Sequence, residues 1–180
     1  TLAARSQKSR NTLLQLVEAS PYNVFDINLR PPYYDVLLIK ELLQKTQLAK
    51  FNKAELRLIL EFLGKPYQDE IDSINYIQDK FKIKEVIVSK GSKGAIYADG
   101  VNVYNYPTIP IIINDTVGSG DSFLAGFIAK RLENADPHTI MSSAVSLGAF
   151  ITASKGACPD YTLQEFEKFS KENKVNMIAI

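Results

Sequence analysis

Short apolar runs alternate with helical patterns along nearly the whole chain, and that alternation confines it to one fold class. Tyr22 to Asn28, Leu48 to Phe51 and Glu85 to Ser89 read as strands, the last rich in β-branched residues. Helical periodicity covers about residues 4–19, 35–45, 53–62 and 68–81. Leu13, Leu14, Leu16 and Val17 share one face of the first helix, which Pro21 ends. Gly91 and Gly94 bracket a tight turn. Ala95 to Ala98 and Val101 to Tyr104 predict a hairpin around Asp99-Gly100, a strong turn dipeptide. Ile109 to Ile113 is apolar and extended. Helices return over about residues 121–133, 137–153 and 162–172, with Asp136-Pro137 as cap and first-turn proline before the second. Strands alternating with helices predict an α/β fold with a largely parallel sheet. Ligand sites in such sheets lie at the carboxyl ends of the strands.

Composition narrows the function. The 180 residues predict a single α/β domain over 1–180. Twenty-one Lys+Arg against 20 Asp+Glu leave a net charge of +1, which argues against nucleic acid or a membrane surface as partner. The one cysteine, Cys158, cannot form an intrachain disulfide or a Cys-based zinc cluster. The one histidine, His138, excludes any site that needs two, and its place at a helix start predicts a solvent-facing side chain. No apolar run reaches the ~18 residues of a transmembrane helix. Thr1 to Arg10 is polar, without the apolar stretch of a secretion signal, and its Arg5, Lys8 and Arg10 read as a wet helix face. The expectation is a soluble cytoplasmic protein, and a start without Met reads as a processed chain or a fragment. Tyr33, Tyr34, Tyr104 and Tyr106 read as core or hairpin packing.

The segment that carries chemistry is Asp115-Thr116-Val117-Gly118-Ser119-Gly120-Asp121-Ser122-Phe123. Two glycines two apart permit backbone angles closed to other residues. Successive N–H groups in such a turn, at the positive end of a helix, form an anion nest suited to a phosphoryl group. Asp121 at its mouth could take the proton of an attacking hydroxyl. The bare turn is equally readable as a glycine-rich helix cap with a solvated aspartate.

The whole string resembles the second signature of the ribokinase-like (PfkB) carbohydrate kinases, D-T-x-G-A-G-D-x-F, with Ser119 in place of the common Ala. The resemblance implies a ribokinase-like three-layer α/β/α sandwich. It implies Asp121 as catalytic base and the amides of Gly118, Ser119 and Gly120 as the anion hole. Asn52-Lys53-Ala54-Glu55 is similar to the family's N-x-x-E, implying Glu55 as organiser of Mg²⁺ through water and Asn52 near the nucleotide phosphates. On its own that tetrapeptide is an ordinary helix start. Ser89-Lys90-Gly91-Ser92-Lys93-Gly94 resembles the T-x-G-x-x-G nucleotide loop, though by itself it reads as a hairpin entry. Ser154-Lys155-Gly156-Ala157 resembles the small-residue loop near the adenine, with Gly156 as the nucleotide contact. Asp115 and Val117 match the family's potassium site, to which Ile151, Ser154, Gly156 and Asp160 are further candidates. Asp26-Ile27-Asn28-Leu29-Arg30-Pro31-Pro32 is similar to bacterial fructokinases, which makes Asn28 and Arg30 sugar-side residues beside Asp121. A surface ion pair is the other reading of Arg30.

The resemblance runs from Thr1-Leu2-Ala3-Ala4-Arg5 to about Phe169 and covers the C-terminal portion of the family's usual chain. The family's Gly-Gly signature, its sugar-holding aspartate and its β lid have no counterpart here. Two functions stay open: an ATP-dependent sugar kinase, with fructose as the expected acceptor and a homodimer as its assembly, and a non-catalytic nucleotide-binding module. Keto-sugar acids and nucleosides are the alternative acceptors.

Overall fold

The computed structural model describes residues 4–30, 32, 34–174 and 178–179. Thr1 to Ala3, Pro31 and Tyr33, named above, lie outside them. The chain divides into two compact units: Thr1–Ser89 with Tyr97–Val103, and Lys90–Ile96 with Tyr104–Ile180.

The first unit contains α1 (Gln7–Ala19), β1 (Val24–Asp26), α2 (Val36–Gln44), β2 (Leu48–Asn52), α3 (Lys53–Phe62), α4 (Glu70–Phe81) and β3 (Glu85–Ser89). β1 and β2 are parallel with Val24 opposite Leu48, and β2 and β3 are parallel with Leu48 opposite Glu85 and Asn52 opposite Ser89. Leu48 to Phe51 and Glu85 to Val88 are buried without alternation, as parallel strands covered on both faces require. Leu38, Ile39, Leu42 and Leu43 of α2, Leu56, Ile59 and Leu60 of α3, and Ile74 and Ile77 of α4 complete this core. Lys50 and Glu85 are buried with partners, as burial of charge demands. Lys50 Nζ lies 2.7 Å from Asp26 Oδ2, directly across the ladder, and Glu85 accepts the Tyr97 hydroxyl at 2.5 Å and the Tyr22 hydroxyl.

Two expectations change here. α1 begins at Gln7 because Ser6 caps it, its Oγ accepting the Ser9 amide at 3.2 Å, and none of its residues is buried. Leu16 is 63% exposed, while Leu13, Leu14 and Val17 are half-buried. The strand at 22–28 shortens to three half-buried residues.

The second unit holds α5 (Ser119–Leu132), α6 (Pro137–Ala153), α7 (Leu163–Glu172) and β6 (Ile178–Ala179). The hairpin strands β4 (Ala95–Ala98) and β5 (Val103–Tyr106) each contribute residues to both units. β6 pairs antiparallel to β5, Tyr104 opposite Ala179. Phe123 and Phe127 of α5 and Ile140, Met141, Ala144, Val145 and Ile151 of α6 are buried. Phe150 meets Tyr161, Phe166 and Phe169 edge-on, with ring centroids 5.1, 5.8 and 5.3 Å away. These contacts dock α7 onto α6. Tyr106 is fully buried and His138 is exposed, each as expected.

Here the hairpin shifts by two residues. Asp99 Oδ1 accepts the amides of Val101 and Asn102 at 2.8 and 2.7 Å, so both belong to the turn and β5 starts at Val103. Ile109 to Ile113 forms no strand; Pro107 and Pro110 remove ladder donors, and Ile112 and Ile113 are 85% and 61% exposed. Among the described residues no helix is long and apolar enough to cross a membrane.

Candidate functional site

In the first unit the candidate residues gather at the carboxyl ends of three adjacent parallel strands. Asn52 ends β2 and caps α3, its side chain accepting the Glu55 amide at 2.8 Å. Glu55 answers with both carboxylate oxygens: Oε2 accepts the Asn52 amide at 2.8 Å and Oε1 the Leu29 amide at 3.1 Å. The helix-start reading of N-x-x-E is therefore realised as a capping box. The same carboxylate, 9% exposed, also ties the segment after β1 to α3. Asn28 holds a left-handed φ of +40°, and the Ile27 amide donates to the Lys50 carbonyl at 3.1 Å. Arg30 is exposed, its guanidinium donating to its neighbour's carbonyl, Leu29 O, at 3.4 Å. Ser89 Oγ donates to the Phe51 carbonyl at 3.3 Å. Lys53 Nζ lies 2.6 Å from Glu70, a hydrogen bond that holds the lysine above and the carboxyl below their ordinary pKa values.

The donor set suits a hard, hydrated ion. Each Glu55 oxygen keeps lone-pair capacity beyond its one amide. Among the described residues no group of three or more His, Cys, Asp or Glu could cage a metal, and Mg²⁺ commonly rests on one carboxylate, its own waters and phosphates.

In the second unit the Lys90–Gly94 loop closes on itself. The Lys90 amide donates to the Gly94 carbonyl at 2.7 Å, and Gly91–Lys93 form one 3₁₀ turn. Ser92 and Lys93 are exposed, and Lys90 Nζ donates to Asn105 Oδ1 at 2.9 Å. A Cβ on Gly94, at φ +84°, would lie 1.9 Å from the Tyr106 carbonyl oxygen, so the hairpin by itself demands this glycine.

The Asp115–Asp121 turn is built against the end of α6. The amides of Asn114 and Asp115 donate to the Thr152 carbonyl at 3.0 and 3.3 Å. The Val117 amide donates to Asp115 Oδ1 at 2.9 Å. Gly118 is the N-cap of α5 at φ +79°, with no side-chain cap bond. α5 starts at Ser119, two residues earlier than expected, so Gly120 sits in the first helical turn. Of the two glycines, Gly118 has the left-handed angle. The Ser119 amide is turned to the Thr116 carbonyl at 3.4 Å. Asp121 is exposed in that first turn. Gly156, at φ +86°, has open space where a Cβ would stand. Among the potassium candidates, the Ile151 carbonyl accepts the Ser154 amide at 3.0 Å, and Asp160 is exposed.

Two participants escaped the sequence reading: the Leu29 amide and Thr152. Thr152 lies 33 residues from its partner Ser119, and no local spacing signals it.

The family described as pfkB family carbohydrate kinase matches residues 5–163. A curated fructokinase of Klebsiella pneumoniae is 26% identical over 172 residues, spanning 87% of this chain and 54% of its own length. An ATP-dependent ribose-1-phosphate kinase of Halopiger xanaduensis is 34% identical over 86 residues, 48% of this chain and 29% of its own. The chain thus spans about half, or less, of the length of these two relatives. The solved structure of a Vibrio cholerae O395 fructokinase double mutant in fructose, ADP and potassium ion bound form superposes with a TM-score of 0.77. It is 24% identical and covers 93% of this chain and 57% of that one. The fold is the ribokinase-like one.

Proposed function

The chain belongs to the pfkB family of carbohydrate kinases, and we propose that it carries the nucleotide-side and catalytic parts of an ATP-dependent sugar kinase. The observation that carries this reading is Asp121, exposed in the first turn of α5 directly behind the left-handed Gly118. A carboxylate there accepts the proton of a sugar hydroxyl as the hydroxyl oxygen bonds to the γ-phosphorus. The bond from that phosphorus to the β–γ bridging oxygen breaks, and ADP leaves with the electron pair. Amides at the N-terminus of α5 face the negative charge carried by the transferring group. Glu55 would hold a nucleotide-bound Mg²⁺ through water, with Asn52 near the phosphates, and that ion supplies charge neutralisation on them. Arg30 and Asn28 orient the acceptor. Potassium at the Asp115 and Val117 segment is part of the same proposal.

Fructose is the proposed acceptor, supported by the Asp26–Pro32 string and by the fructokinase among the relatives. The test is a coupled assay over fructose, ribose, ribose 1-phosphate and keto-sugar acids with Mg·ATP. Asp121→Asn should lower kcat at least ~10²-fold while leaving ATP affinity nearly unchanged. A variant that retains the unmodified kcat removes Asp121 from the mechanism. Calorimetric ATP binding without turnover on any sugar would favour the non-catalytic module.

A further inference from the structure

Thr152 lies near the C-terminal end of α6, 8% exposed, and touches the catalytic turn at both of its ends. Its carbonyl accepts the Asn114 and Asp115 amides at 3.0 and 3.3 Å, where the turn begins. Its Oγ1 stands 2.8 Å from Ser119 Oγ, where the turn becomes α5, and donates to the Gly148 carbonyl at 2.7 Å. Ser119 Oγ lies 3.3 Å from that same carbonyl. Gly118 offers no side-chain cap, so the turn has little of its own to fix the aim of the amides behind it. A residue that grips Asp115 on one side of Gly118 and Ser119 on the other sets that aim.

We propose that Thr152 is a positioning residue for phosphoryl transfer, acting through the Ser119 hydroxyl to hold the first turn of α5, and with it Asp121, in reactive alignment. The inference rests on the kinase reading. Alignment of a reacting group affects the chemical step more than ground-state binding. The loss should therefore fall on kcat rather than on KM for ATP.

The experiment compares Thr152→Val, Thr152→Ser, Ser119→Ala and the Ser119→Ala/Thr152→Val double variant. Thr152→Val should lower kcat about fivefold, the scale of one buried hydrogen bond, with KM for ATP within about twofold. Thr152→Ser keeps the hydroxyl and should restore kcat to within about twofold. The double variant should fall little further than Thr152→Val alone, because both changes remove the same Thr152–Ser119 contact. A folded Thr152→Val with unmodified kcat, a Thr152→Ser as impaired as Thr152→Val, or additive losses in the double variant each overturn the proposal. Should Thr152→Val not fold, Ser119→Ala decides: a fall of about threefold supports the proposal and an unchanged kcat overturns it. If the unmodified protein binds no ATP, the kinase reading fails separately; if it binds ATP but phosphorylates no sugar, amide exchange across residues 114–121 replaces turnover. Exchange about tenfold faster at Ser119–Asp121 in Thr152→Val, or in Ser119→Ala where that variant must stand in, then supports the positioning role; unchanged exchange overturns it.

Discussion

Gly118 and Ala157 meet backbone to backbone: a Cβ at position 118 would lie 2.3 Å from the Ala157 carbonyl oxygen. The turn before α5 and the loop after α6 fit together because position 118 carries no side chain, and because its φ of +79° costs glycine nothing. Gly118→Ala meets both obstacles at once. It should destabilise the protein by at least about 2 kcal/mol, combining backbone strain with the displaced contact. Urea unfolding measures this, and an unchanged midpoint would contradict the contact.

Glu55 serves two amides 23 residues apart in the chain, Leu29 and Asn52. Glu55→Ala leaves both donors without an acceptor in a buried setting, a loss of about 2–4 kcal/mol. Glu55→Gln keeps one acceptor oxygen and should lose roughly half as much. If Glu55→Ala melts with the unmodified protein while turnover falls, the strut between α3 and the Asn28–Arg30 segment carries no weight, and a pure ion-binding role remains.

Arg30 contrasts with Glu55. Among the described residues its guanidinium donates only to its own neighbour's carbonyl, at 3.4 Å, and its side chain is exposed. Arg30→Ala should leave stability within about 0.5 kcal/mol, the usual range at the surface. The change belongs in the acceptor KM, expected to rise about tenfold. A lowered melting temperature with unaltered kinetics would assign Arg30 to surface pairing instead.

Tyr106 gives a pH-dependent signature. Burial, with smaller contributions from Tyr104 and Asp136, pushes its hydroxyl up to about 12 from the ordinary 10.0. The folded protein thus keeps this proton after the unfolded chain has lost it. Its contribution is complete below pH about 10 and is lost as pH rises to about 12. Tyr106→Phe should flatten that alkaline decline relative to the unmodified protein, by an amount on the order of 2 kcal/mol. Parallel pH profiles for the two proteins would show that the phenol does not titrate as described.

What the sequence revealed follows from how local each determinant is. Asn52 and Glu55 read as a helix start because a capping box needs only its own four residues. The third bond of Glu55, to Leu29, joins two strand ends and leaves no trace in local spacing. The Asp99-Gly100 turn was legible, but its length was not: the Asp99 side chain captures two amides and moves β5 two residues along. Ile109 to Ile113 has a strand's composition, yet Pro107 and Pro110 deny it ladder donors. The Asp115–Asp121 turn was visible through its family string, whereas Thr152, whose carbonyl accepts the Asn114 and Asp115 amides, and Ala157, which abuts Gly118, come from another helix and loop. In α1 the leucine spacing does signal the helix, but its start is set by the Ser6 cap and its apolar face stays no more than half-buried.

The same loop that abuts Gly118 offers an experimental handle. Cys158, the chain's one cysteine, is exposed and directly follows Ala157. A maleimide-linked fluorophore would therefore attach at a single place without any engineering of the chain. It would sit one residue from the carbonyl that abuts Gly118, so its emission would report on that contact as nucleotide is added.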